Sequence, residues 1–92
     1  MSETAKRYDI TDATGAVAQI PAYDKRETVW LRNAGPNRAY LAFNEPATSV
    51  AGFYMESGDV LIVSGVMAKR NIHFVCASGE TASIYAELMW GF

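Results

Sequence analysis

Ninety-two residues with a formal net charge of −2, 50% of them hydrophobic and 12% aromatic, describe one small folded domain rather than a disordered chain. That near-neutral charge excludes simple electrostatic capture of nucleic acid or of an anionic membrane. A single cysteine, Cys76, excludes an internal disulfide, and the apolar surplus over what so small a domain can bury points to a partner surface or to oligomerisation.

The N-terminus is polar and charged, without the apolar stretch of a secretory signal, and no apolar run approaches the roughly 18 residues of a membrane span. Residues 1–10 are expected as a flexible arm, with Tyr8 and Ile10 the first to dock, and residues 11–92 as a single β domain made in the cytosol. Thr11–Gly15 is turn-rich, and Ala16–Ile20 reads as a short strand ended by Pro21. Ala22–Arg26 is a charged link. Glu27–Asn33 is a strand with Val29 and Leu31 on one face and Trp30 and Arg32 on the other. The turn signal Ala34-Gly35-Pro36-Asn37 leads to a return strand, Arg38–Asn44, with Ala39, Leu41 and Phe43 set against Tyr40 and Ala42.

Glu45–Ser49 reads as a loop and Gly52–Met55 as a short apolar piece. Glu56-Ser57-Gly58-Asp59 then turns into Val60–Val63, which is apolar on both sides and so expected to be central or covered. Ser64–Arg70 crosses with little pattern. In Asn71–Phe92, Ile72, Phe74 and Cys76 alternate with His73 and Val75. After Ala77-Ser78-Gly79-Glu80, Ala82, Ile84, Ala86 and Leu88 alternate with Ser83, Tyr85, Glu87 and Met89, which predicts a closing hairpin. About seven short strands separated by turn signals predict an all-β fold, a small antiparallel β-sandwich or barrel, jelly-roll-like.

Catalytic chemistry is sparse. His73 and Cys76 are the chain's one His and one Cys, and alternation puts them on opposite strand faces. They make neither a zinc site nor a Cys–His nucleophile pair. Cys76 reads as a small core hydrophobe and His73 as a surface or interface residue. Glu56 and Asp59 flank a turn and read as turn chemistry rather than a general-acid pair. No nucleophile-elbow, phosphate-loop or dinucleotide motif occurs. The expectation is a protein that is not an enzyme and takes no metal and no cofactor. The basic pairs Lys6-Arg7, Lys25-Arg26 and Lys69-Arg70 are expected on a solvated surface.

The aromatic surplus carries the functional signal. Trp30, Tyr40, Phe53, Tyr54, Trp90 and Phe92 are candidates for a protein–protein interface, where Trp, Tyr and Arg concentrate. A second small core, cross-strand aromatic pairs and a carbohydrate-stacking platform are open beside that reading. The end, Met89-Trp90-Gly91-Phe92, is costly to leave in water at about 25 cal/mol per Å². It is expected beneath its own sheet or against a neighbouring subunit.

The segments VWLRNAGPNRAYLAFNEPATSVAGFYMESGDVLIVSG and IHFVCASGETASIYAEL, spanning Val29 to Leu88, resemble small structural proteins of tailed-phage virions. The resemblance rests on turns and strands, and it transfers no catalytic residue. It implies a capsid decoration (cement) protein, or a related head or tail accessory module, made in the host cytoplasm and resident in the virion. Its partners would be the major capsid protein or other virion proteins, with no nucleic acid and no membrane, and a homo-oligomer, a trimer foremost. The alternative is a carbohydrate- or receptor-binding module of a tail or fibre.

Overall fold

In the computed structural model, which describes residues 2–50 and 52–90, the alternating stretches become strands. These are β1 (Ser2–Ile10), β2 (Arg26–Pro36), β3 (Ala39–Phe43), β4 (Phe53–Met55), β5 (Val60–Ser64), β6 (Ile72–Val75) and β7 (Ala82–Trp90), with a 3-10 turn, Gly65–Lys69, between β5 and β6. One sheet has the order β1-β7-β2-β5 and the other β4-β3-β6, and the strand pairs are antiparallel. The fold is all-β. A single apolar cluster draws on both sheets, with Val29, Leu31, Ile84 and Ala86 from the larger and Leu41, Met55, Ile72 and Phe74 from the smaller.

Neither predicted hairpin forms. β2 and β3 lie in different sheets, as do β6 and β7, so both connections cross between sheets. Alternation specifies which face of a strand is buried; it does not specify which strand lies alongside. Two strands with matching apolar faces satisfy that pattern equally well side by side or across a core.

The expected arm is also different. Ser2–Ile10 pairs along its whole length with β7, from Ser2 opposite Trp90 to Ile10 opposite Ala82. An edge strand tolerates polar residues on its solvent side, which is why its charges masked the strand. Ile10 is buried and Tyr8 packs against the core, as their apolar character implies. β5 is an edge strand rather than a central one: Leu61 and Val63 turn to the core while Val60 and Ile62 face out.

Ala16–Ile20 is not a strand; only Ile20 pairs, through an isolated bridge to Ile72. Residues 11–20 instead cover the open edge of β6. The Thr14 hydroxyl donates to the Phe74 carbonyl at 2.8 Å, and the Phe74 amide donates to Gln19 Oε1 at 2.7 Å. The Cys76 amide reaches the Thr11 carbonyl at 3.0 Å. Side chains thus take the place of a neighbouring strand. Gly15 is needed here, because a Cβ would collide with the Ala47 carbonyl oxygen. The covering makes β6 buried on both faces, and His73 with it, its Nδ1 3.0 Å from the Gly15 carbonyl. His73 is therefore an interior residue, not a surface one.

Candidate interaction surface

The strand registers assemble a patch on the outer face of the four-stranded sheet. One row across it reads Ala5, Glu87, Trp30, Ile62, and the next reads Arg7, Tyr85, Arg32, Val60. Because Val29 and Leu31 point inward, Trp30 and Arg32 must point outward. Trp30 is 48% exposed, Ile62 53% and Val60 61%. The Arg32 guanidinium lies 5.2 Å from the centre of the Tyr85 ring. Ala5, Arg7, Trp30, Arg32, Tyr85 and Glu87 line a shallow trough. It offers an apolar floor with charged hydrogen-bonding groups at its sides.

The outer face of the smaller sheet carries a second patch. Tyr40 and Tyr54 are directly opposite across β3 and β4, with ring centres 6.0 Å apart. Arg38 caps them, 4.1 Å from the Tyr54 ring centre and 5.9 Å from that of Tyr40. It also forms an ion pair with Glu56, and its hydrogen bond to that carboxylate holds the Glu56 carboxyl below its ordinary range. Asp59 accepts from the Glu56 amide at 2.8 Å, so each of these acids is engaged locally.

Phe53, 70% exposed, stands at the β4 edge and lines a groove with Phe43, Leu61, Ile62, Val63 and Met67. Trp90 is half-buried and meets the Tyr23 ring edge-on, with centres 5.7 Å apart, so it packs on its own chain. Phe92 lies outside the described residues. The aromatic candidates therefore fall in separate places, with Trp30 and Tyr40 on different sheets although a turn joins their strands. Sequence reasoning missed Arg32, Tyr85, Val60 and Ile62 as one patch with Trp30. Alternation set Trp30, Arg32 and Tyr85 opposite the aliphatic faces of their strands but left Val60 and Ile62 as covered residues, and only strand order brings the five together.

Two further residues differ in kind. Arg26, expected on a solvated surface, is 3% exposed, and its guanidinium donates to the carbonyls of Ala68, Pro21 and Arg70. Burial lowers its pKa, and carbonyl dipoles rather than a carboxylate receive its charge. Cys76 is buried with Sγ 3.8 Å from the Ile10 carbonyl. Burial first, then the charges of Glu80 and Asp12, push its thiol pKa up, which opposes nucleophilic chemistry. Among the described residues, no cluster of His, Cys, Asp and Glu is arranged to hold a metal ion. Comparison with protein-family models and with curated proteins finds no match for the chain.

Proposed function

We propose that this chain is a non-enzymatic adhesion module, a virion structural protein of the capsid decoration type that bridges and stabilises capsid subunits through protein–protein contacts. The observation that carries the reading is the outward patch of Trp30, Arg32, Tyr85, Val60 and Ile62 on a continuous sheet. Trp, Tyr and Arg are the side chains that anchor protein interfaces, and β-branched neighbours exclude water around them. A rigid sheet presents them at little cost in ordering. The two sheets sharing one core support a sandwich, jelly-roll-like in outline, with the patch on one broad face and Tyr40, Tyr54 and Arg38 on the other. The resemblance to tailed-phage virion proteins supplies the setting, and the partner is the major capsid protein or another shell protein.

The test is co-sedimentation of the purified chain with tailed-phage capsid shells stripped of accessory proteins. Saturable binding that weakens at least about tenfold on Trp30→Ala supports the reading. A chain that binds no shell overturns it. One observation favours a second reading: the trough beside Trp30 combines an exposed indole with Arg7, Arg32 and Glu87, the chemistry of a glycan or receptor site. Glycan binding that is lost in Trp30→Ala, with no shell binding, puts the tail or fibre module first.

A further inference from the structure

We propose that β5 is a self-pairing edge. Two copies of the chain join β5 to β5, antiparallel, about a two-fold axis through Ile62, and the four-stranded sheet continues across the junction. The inference gives the sheet that carries the adhesive face a second copy of the chain as its neighbour at the β5 edge, and it rests on the reading of the chain as an adhesion module. It makes the oligomer a two-fold dimer, where the resemblance implies a trimer.

The two sheets have four edges, and three are protected. Residues 11–20 cover β6. Lys6, Arg7 and Asp9 put charges along β1. β4 is only three residues long. These are the devices by which natural sheets prevent strand addition. β5 has none of them. Val60-Leu61-Ile62-Val63-Ser64 contains no charge and no proline, and among the described residues its strand pairing is with β2 alone. Among the described residues, no strand lies along its outer edge, which is about 17 Å long.

The occupant follows from the sequence of the edge itself. With the axis at Ile62, Ile62 faces the partner's Ile62, Val60 faces Ser64 and Leu61 faces Val63, so outward residues meet outward ones and core residues meet core ones. Asp59 then falls opposite a glycine, Gly65. The strand is complementary to itself about Ile62. Cross-strand apolar pairs in that register extend the Trp30–Ile62 row into a ridge that continues through the partner's Ile62 and Trp30.

The experiment combines solution mass with register-specific crosslinking of the full chain. Light scattering is expected to give a dimer whose dissociation constant rises at least about tenfold in Ile62→Lys, while the urea midpoint, measured dilute enough that both proteins are monomeric, stays unchanged because Ile62 is an outward side chain. Mild oxidation of Ile62→Cys is expected to yield a disulfide-linked dimer, since opposed residues on antiparallel strands lie within disulfide reach. Val60→Cys, which faces Ser64, is expected not to crosslink, and buried Cys76 contributes no background. A monomer at every concentration, a trimer, equal crosslinking of the two cysteine variants, or an Ile62→Lys dimer as tight as the parent each overturns the pairing. Shell binding by a strictly monomeric chain removes the pairing and keeps the adhesion reading. A dimer crosslinked at Ile62 that binds no shell does the reverse.

Discussion

Asn33 shows how much one side chain can hold at a strand end. Its amide donates to the carbonyls of Asn37 at 2.9 Å and Met55 at 2.8 Å, while its oxygen accepts from the Gly35 amide at 2.8 Å. It is fully buried, so its own amide would otherwise lack a partner. Asn33→Ala is expected to lower stability by about 2–3 kcal/mol, read as a lower urea midpoint at constant slope. Cys76 makes a prediction in pH. Burial raises the folded-state pKa of its thiol, and likewise that of the Tyr8 phenol. A raised folded pKa stabilises below the unfolded value and loses that contribution as pH rises. Stability should therefore be level through neutral pH and decline above about pH 8.5, where the unfolded thiol begins to ionise. Urea midpoints measured across that range should fall for the parent and fall less for Cys76→Ala. From sequence, Cys76 was legible as a core residue. The role of Asn33 was not, because its partners are set by folding.

At the scale of the element, each edge is managed differently. β6 is capped by side chains of residues 11–20, and Gln19 is central: Oε1 accepts from the Phe74 amide while Nε2 donates to the Thr14 carbonyl at 2.8 Å. Gln19→Ala is expected to cost about 1–2 kcal/mol and to accelerate hydrogen exchange at the Phe74 amide relative to β2 and β7. Equal exchange at Phe74 in both proteins would show that the cap does not protect the strand. The period of two in β2, β3, β6 and β7 was readable, and so were the faces of Trp30, Leu31, Tyr40 and Leu41. The cap was not, since a Gln and a Thr standing in for a strand leave no period. The burial of His73 follows from that cap and was equally hidden.

For the whole molecule, the joining of the two chain ends is decisive. Among the described residues β1 pairs with β7 alone, so Ser2–Ile10 completes the larger sheet from far away in the sequence. Deleting residues 1–9 would leave β7 with a bare apolar edge. Loss of a cooperative thermal transition, or aggregation on expression, is the expected outcome. A truncated chain that melts like the parent would restore the flexible-arm view of this segment.

The sequence by itself determined the class of the fold and the sidedness of its strands, because alternation is a local consequence of the extended backbone and of burial on one face. It also marked Trp30 and Tyr40 as lying opposite the aliphatic faces of their strands. Only the tertiary structure decided which strands are neighbours, that β5 and the N-terminal segment are edges, and that Trp30 shares a face with Ile62 and Tyr85 rather than with Tyr40. The reason is physical. Strand pairing is a choice among distant segments with similar patterns, and it is settled by how both sheets close over one core, which no local window contains.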